Sequence, residues 1–198
     1  MVSDGVPMRG SRDEAVEALS PLRLRILRVL ARASFVLAAV LVLVAASAHL
    51  AGVRLNYTRS LPRGLYLESD FNPSAVQRGD LVAACPEENA GRAVAEYLPP
   101  GSCPGGVIEL AKYLAALPGD TVLVDSAGVW VGGDLLPNSA PLFHDRRGRA
   151  LAPHLGQHVL GRGQYWLFSN RVATSVDSRY VGPTADVRFA LRPLLVED

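Results

Sequence analysis

Residues 56–66 read NYTRSLPRGLY, and they follow directly on a long apolar run that covers residues 33–53. Ser60, which precedes Leu-Pro, is therefore predicted to lie just outside a membrane span, and we interpret it as a nucleophile held at the membrane surface. Its predicted partner is Lys112, in the stretch AKYLAALPGD at residues 111–120.

Lys112 is the only lysine of the chain, because every other member of its 20 Lys and Arg residues is an arginine. Arginine does not lose its proton in proteins, so it cannot act as a base at neutral pH. A composition this poor in lysine has kept one where a base is needed. The alternative is an ordinary surface lysine, which is the commoner position of this residue type.

The run at residues 33–53 contains no Asp, Glu, Lys or Arg. A helix of this length spans ~30 Å, about one hydrocarbon core. Four arginines within residues 21–32 favour a cytoplasmic N-terminus, which places residues 54–198 outside the cytoplasm. The alternative is a cleavable signal peptide, since residues 46–48 read Ala-Ser-Ala, but the run exceeds the usual ~7–15-residue apolar core.

The remaining organisation follows from composition. Residues 1–20 are predicted to be a mobile tail and residues 21–32 a basic helix at the membrane surface, so that residues 1–32 are cytoplasmic. The chain has a formal charge of +1, and this balance does not indicate nucleic-acid binding, which requires a concentrated basic patch.

Short apolar runs between Gly/Pro turns predict a mainly β domain over residues 54–198, with a small helical insertion. Strands are predicted at residues 64–68, 80–84, 107–117 and 187–191. Hairpins are predicted from residues 121–124 with 129–131 and from residues 158–160 with 164–168. Residues 86–98 are predicted to be helical, and residues 138–158 to form a surface loop.

Cys85 and Cys103 bracket the helical insertion. In an oxidising compartment they would pair and tie residues 85–103 at their base, contributing ~3 kcal/mol in the chain-entropy model. Two free buried thiols are the alternative. No zinc site or cofactor is predicted, because the chain has no Cys-x-x-Cys and its histidines lack zinc-binding spacing.

A Ser-Lys pair can perform acyl transfer only if the lysine is neutral. A free lysine titrates near ~10.4, so the site must lower this pKa by several units through desolvation. Leu110, Ala111, Leu114 and Ala115 surround Lys112 in sequence and supply apolar neighbours.

Four blocks of the sequence resemble, in family order, the signal peptidase I superfamily of Ser-Lys membrane proteases, and within it the TraF-type conjugative-transfer peptidases. The blocks are Asn56-x-Thr58-x-Ser60-x-Pro62-x-Gly64-Leu65-Tyr66, residues 78–82, residues 112–120 and residues 175–182. Two departures weaken a housekeeping assignment: residues 168–170 read Phe-Ser-Asn in place of Gly-Asp-Asn, and Tyr113 follows the lysine.

The resemblance implies a role for each matching residue. Ser60 would be the nucleophile and Lys112 the general base, while the Ser60 backbone N–H and the Thr58 hydroxyl would stabilise the oxyanion. Ser175 would orient the lysine amine. Asp177 and Arg179 would form a structural ion pair. For Thr58, a turn or N-cap hydroxyl is the alternative.

The resemblance also implies a function and a location. The chain is expected to be a serine endopeptidase of a bacterial inner membrane, with a single span and a periplasmic catalytic domain. Its partners would be the lipid bilayer and a membrane-inserted pilin-like precursor, cleaved after a small residue, with cyclisation of the pilin in part of the family. The alternatives are a housekeeping signal peptidase I and a catalytically retired, membrane-tethered assembly factor.

Overall fold

The computed structural model describes residues 21–197, with side chains from residue 23 onward. The predicted mobile tail lies outside the described residues. The chain divides into two compact units, one ending at Ala48 and the other beginning at His49, and each is described by itself.

Helix α1, Pro21–Leu50, supplies the described residues of the first unit and ends two residues beyond it. The predicted basic helix and the predicted span are therefore one continuous helix, whose residues 23–50 are long and apolar enough to cross a membrane. A signal sequence would meet the same criteria of length and composition. The helix ends three residues before the predicted end of the span, because Gly52 turns the chain with a positive φ of 80° and Val53 begins a strand.

The second unit is mainly β, as the sequence predicted, and contains two antiparallel sheets. The first has the strand order β1-β2-β10-β3-β4-β9 and the second β7-β6-β5-β8. The strands are β1 Val53–Asn56, β2 Arg63–Ser69, β3 Leu81–Cys85, β4 Leu110–Ala116, β5 Thr121–Val124, β6 Val129–Val131, β7 Asp134–Leu135, β8 Gly156–Val159, β9 Trp166–Phe168 and β10 Asp186–Glu197.

Strand β4 contributes one of its two faces to the core. In β4 every second residue is buried, from Leu110 through Lys112 and Leu114 to Ala116. A strand turns successive side chains to opposite faces, so this pattern places one lysine in a row of apolar residues on the inner face. Val82 and Leu167, on the strands that flank β4, belong to the same apolar cluster as Leu114.

One predicted hairpin is wrong. Residues 158–160 and 164–168 do flank a turn, closed by the bond from the Gln164 N–H to the Gly161 carbonyl. However, β8 pairs with β5 in the second sheet, whereas β9 pairs with β4 in the first. The turn therefore carries the chain between sheets, and Leu160 and Trp166 on its two sides are both buried in one apolar cluster.

The helical insertion is shorter than predicted. Helix α2 covers Glu88–Ala93 and is followed by a 3-10 turn at Ala95–Tyr97. Cys85 and Cys103 form a disulfide across its base, with Cα atoms 5.3 Å apart, so the pairing expected for an oxidising compartment is confirmed. A further short helix, α3 at Ser178–Val181, was not predicted.

Candidate active site

Ser60 lies in the loop between β1 and β2. The two strands pair up to Asn56 and Gly64, which leaves residues 57–63 to turn the chain. Tyr57, Thr58 and Arg59 are exposed, whereas Leu61 is buried at 1% exposure and attaches the loop to the core. Gly64, at the start of β2, is required by the close approach of β10, because a Cβ there would lie 2.0 Å from the Leu195 carbonyl oxygen.

The side-chain amide of Asn56 fixes the shape of the Ser60 loop. Its Oδ1 accepts hydrogen bonds from the Thr58 N–H, at 3.1 Å, and from the Thr58 hydroxyl, at 2.7 Å. Its Nδ2 donates to the carbonyls of Pro62, at 2.9 Å, and of Thr58 and Leu61, at 3.2 and 3.3 Å. One side chain therefore binds the loop on both sides of Ser60.

Ser169, which directly follows β9, also binds the Ser60 loop. Its hydroxyl donates a hydrogen bond to the Ser60 carbonyl, across a sequence separation of 109 residues. Ser169 is fully buried, and its N–H donates to Asp177 Oδ2 at 3.4 Å. The backbone position of Ser60 is thus tied to the buried residue that directly follows β9.

Lys112 projects from β4 toward Ser60. Its Nζ lies 3.1 Å from Ser60 Oγ and donates to the Ala111 carbonyl at 2.9 Å. The lysine is only 6% exposed. Its neighbours on the same strand face, Leu110 and Leu114, are apolar, so water has little access to the amine.

Burial lowers the pKa of the Lys112 amine from 10.5 to about 8. Desolvation is the largest cause, because removing the ammonium from water costs free energy. The Asp177 carboxylate acts in the opposite direction and raises the pKa, whereas the Arg179 guanidinium lowers it. A pKa near 8 leaves about a tenth of the amine uncharged at pH 7, because one pH unit is a tenfold ratio.

Thr58 lies on the other side of the Ser60 hydroxyl. Thr58 Oγ1 and Ser60 Oγ are 3.2 Å apart, and either hydroxyl can be the donor. The Thr58 hydroxyl also donates to Asn56 Oδ1, so its proton has a defined partner before any substrate is present. Within residues 21–197, the Ser60 N–H donates to no protein acceptor.

Ser175 lines the same cleft as Ser60 and Lys112. Its hydroxyl is buried and has no hydrogen-bond partner among the described residues. The lysine amine is held instead by Ser60 and by the Ala111 carbonyl. The role of Ser175 in orienting the amine therefore remains a prediction.

Asp177 and Arg179 form a fully buried ion pair. The guanidinium donates to both carboxylate oxygens, with Nε–Oδ1 at 2.8 Å and Nη2–Oδ2 at 2.9 Å. Asp177 also caps α3 by accepting from the Arg179 N–H. The Arg179 guanidinium lies 5.1 Å from the ring centroid of Phe168, at the end of β9.

A cleft of about 540 Å³ opens over the candidate pair. Apolar residues form much of its wall, including Ala83, Leu110, Phe189 and Leu191. A hydroxyl beside a desolvated amine can act as a nucleophile with its own base, and this is the chemistry of acyl transfer. Among the described residues, Cys85, Cys103 and Glu109 are grouped closely enough for a metal, but the disulfide occupies both sulfurs.

Two residues that hold the Ser60 loop, Asn56 and Ser169, were not identified from the sequence. Asn56 belonged to the quoted motif, but no role was assigned to it, although Asn two residues before Thr is typical of a side-chain-closed turn. Ser169 was noted only as a departure from Gly-Asp-Asn. No local signal connects it to Ser60, because the contact depends on the fold.

Comparison with known proteins gives consistent results. The family described as "Signal peptidase, peptidase S26" matches residues 26–189. The plasmid transfer protein TraF of Escherichia coli is 35% identical over 177 residues, which cover 86% of this chain and 98% of that protein. The conjugal transfer protein TraF of Agrobacterium tumefaciens is 41% identical over 145 residues, which cover 71% and 80%.

A solved structure of a signal peptidase I from Enterococcus faecalis also matches. It covers 63% of this chain and 100% of that one, at 20% identity and a TM-score of 0.35. At this TM-score we draw no conclusion from the likeness.

Proposed function

The chain belongs to the signal peptidase family, peptidase S26, and we propose that it is a membrane-anchored serine endopeptidase with a Ser60-Lys112 dyad. The observation that carries the proposal is the 3.1 Å contact between Ser60 Oγ and a lysine amine that is 6% exposed. A general base must lie within hydrogen-bond reach of the proton it abstracts, and it must be unprotonated when it does so.

The proposed reaction begins when the uncharged Lys112 amine takes the proton from Ser60 Oγ. The oxygen then forms a bond to the carbonyl carbon of the scissile peptide, and the carbonyl oxygen becomes an oxyanion. The Ser60 N–H, which has no other acceptor among the described residues, would donate to it. The Thr58 hydroxyl would be the second donor, and its proton would turn from Asn56 Oδ1 to the oxyanion. The Lys112 ammonium returns the proton to the leaving amine as the C–N bond breaks.

An ester between Ser60 and the N-terminal part of the substrate remains after this step. Water resolves it to a free carboxylate, with Lys112 again accepting the proton. An amine can replace water, and the substrate's own N-terminus would then give a cyclic product. The choice between these outcomes depends on which nucleophile reaches the ester first.

Similarity to TraF proteins of plasmid and conjugal transfer makes this chain a conjugation-related member of the family. We propose that its substrate is a membrane-inserted pilin-like precursor, cleaved after a small residue. In this proposal α1 anchors the protein in a bacterial inner membrane with its N-terminus in the cytoplasm and residues 54–198 in the periplasm. The disulfide supports the periplasmic side, because disulfides persist in oxidising compartments.

The proposal is tested by cleavage of a purified precursor with the full chain in detergent or nanodiscs. We expect the parent to release the mature product and Ser60→Ala to release none. An acylating penem should label the parent at Ser60. A Ser60→Ala variant that cleaves at the parent rate would contradict the assignment of the nucleophile.

Housekeeping signal peptidase activity is the competing function within the same family. Depletion in a conjugating host separates the two. Loss of pilus formation alone is expected under our proposal, whereas accumulation of many unprocessed exported proteins would favour the housekeeping role.

A further inference from the structure

Arg59, the residue before Ser60, lies where three clefts meet. It lines the cleft of about 540 Å³ that contains Ser60 and Lys112. It also lines one of about 980 Å³ and another of about 610 Å³. The largest of them shares Tyr97, Thr174 and Ser175 with the Ser60 cleft as well, so a peptide bound over Ser60 can continue into it.

We call the cleft of about 980 Å³ the arginine cleft. Four arginines line it, and only two carboxylates do. The arginines are Arg59, Arg146, Arg147 and Arg149.

Both carboxylates are already paired. The Arg149 guanidinium forms ion pairs with Asp145 and with Glu96. The Asp145 carboxylate also accepts from the Arg147 N–H at 2.8 Å, a backbone contact that leaves the Arg147 guanidinium free. The acids of the cleft therefore do not neutralise the other arginines.

The guanidinium groups of Arg59, Arg146 and Arg147 are unpaired. All three residues are exposed, and none donates a side-chain hydrogen bond or forms an ion pair within residues 21–197. The whole chain has a formal charge of only +1, so this excess of positive charge is a local feature of the surface beside Ser60. Charge concentrated in a concave surface attracts ligands of opposite sign more strongly than the same charge on a flat one.

We propose that the arginine cleft binds acidic residues of the substrate that flank the scissile bond. The inference rests on the proposed function, because it takes the ligand to be the peptide that crosses Ser60. The continuity of the two clefts favours a peptide over other anions. Anionic lipid headgroups are the competing ligand, and they are an outcome of the test.

Binding of labelled peptides to the full-length Ser60→Ala variant tests the proposal without requiring cleavage. The protein is held in phosphatidylcholine nanodiscs, and binding is followed by fluorescence anisotropy. Three peptides share a central Ala-Ala-Ala-Ala segment: one has three Glu before it, one has three Glu after it, and one has Gln at all of these positions.

We expect one of the Glu peptides to bind about two- to tenfold more tightly than the Gln peptide, since exposed ion pairs are individually weak. The advantage should shrink as salt is raised from ~0.05 to ~0.5 M, because exposed charges are screened. Arg146→Gln with Arg147→Gln should remove it. Arg162→Gln is the matched control, since Arg162 is exposed but lines none of the three clefts.

Three results would overturn the proposal. Equal affinity for all peptides would do so, as would a Glu preference that survives the double substitution. So would a double variant that binds all peptides as the parent does but loses a preference for nanodiscs containing phosphatidylglycerol, because the arginines would then serve the lipid surface. Failure of the parent to cleave any precursor bears on the proposed function alone, since this experiment measures binding.

Discussion

The Ser60 loop and the Lys112 strand supply the two halves of the candidate site in different ways. Lys112 lies on β4, between β3 and β9, where the ladder hydrogen bonds of two neighbours fix its backbone. Ser60 lies in a loop with three exposed residues before it, and side-chain hydrogen bonds from Asn56 and Ser169 fix it instead.

The two regions therefore control different properties of the site: the protonation of the amine and the position of the hydroxyl. The strand determines the charge state of the amine, because it places Lys112 on a buried face beside apolar residues that desolvate it. The loop determines where the hydroxyl lies, because its polar contacts hold the backbone around Ser60. Changes in the strand should therefore alter protonation and stability, whereas changes in the loop contacts should alter turnover.

The largest expected effect is that of Lys112→Met. Loss of the base should lower kcat/KM by at least ~10²–10⁴-fold, the usual contribution of general acid–base catalysis. The folded protein should melt at the same or a higher temperature, because a partly charged buried amine is replaced by an apolar side chain of similar length. Steady-state kinetics measures the loss of activity, and thermal melts measure the change in stability.

Lys112→Arg is the matched control for that prediction. It keeps a positive charge but cannot be deprotonated, so it should be inactive and also less stable than Lys112→Met. A Lys112→Met variant with more than a tenth of parental activity would mean that the strand does not supply the base.

The second largest expected effect is a loss of stability when the buried ion pair of Asp177 and Arg179 is broken. Arg179→Met leaves the buried Asp177 carboxylate without its counter-charge, which should lower the free energy of unfolding by ~3–5 kcal/mol. Arg188→Met removes the exposed pair with Asp186, at 2.8 Å, and should cost at most ~1 kcal/mol. Denaturant titration measures both, and equal losses would show that burial does not distinguish them.

Asn56→Ala should affect turnover more than stability. It removes five hydrogen bonds from the Ser60 loop, and misplacement of the hydroxyl should lower kcat by roughly 100-fold, since small errors in position have effects of this size. Asn56→Asp keeps the acceptor for Thr58 but directs a carboxylate at three carbonyls. It should therefore be no better than Asn56→Ala, and recovery in Asn56→Asp would show that the Nδ2 donors are dispensable.

Ser169→Ala should have the smallest effect. The hydrogen bond to the Ser60 carbonyl is lost, together with a longer one accepted from the Arg171 N–H at 3.3 Å. We expect kcat to fall about tenfold, because the bond to Ser60 is worth ~1 kcal/mol or slightly more. KM and the pH midpoint of activity should not change, because Lys112 is untouched. Ser126→Ala, in the exposed turn between β5 and β6, is the control, and a shifted pH midpoint in Ser169→Ala would contradict the separation of roles.

The local sequence pattern predicted the position of Lys112 on a strand better than it predicted the contacts that hold the Ser60 loop. The apolar run at residues 107–117 and the lone lysine are both visible in the sequence, and the structure has Lys112 on the buried face of β4. The bond from Ser169 to Ser60 joins residues 109 apart. No spacing rule anticipates such a contact, because it depends on how β9 is placed beside β4.

The wrong hairpin has a similar cause. Residues 158–168 contain a Gly-rich turn between two apolar runs, which is the local pattern of a hairpin. The two runs do not pair with each other, because β8 pairs with β5 and β9 pairs with β4. The mainly β class followed from composition and turns, whereas the assignment of strands to sheets required tertiary contacts.

The charge state of Lys112 is the central claim, and the chain allows it to be measured directly. Because Lys112 is the only lysine, full-length protein labelled with ¹³Cε-lysine gives a single lysine signal whose shift reports the protonation of Nζ. We predict a midpoint of about 8, against ~10.4 in the denatured chain.

The same shift has a consequence for stability. Between these two pH values the unfolded chain binds more protons than the folded one, so the contribution of Lys112 to the free energy of unfolding should rise with pH across that window. A ¹³Cε midpoint near 8 would support an amine that serves Ser60 as a base. A midpoint near 10.5 in the folded protein would contradict it.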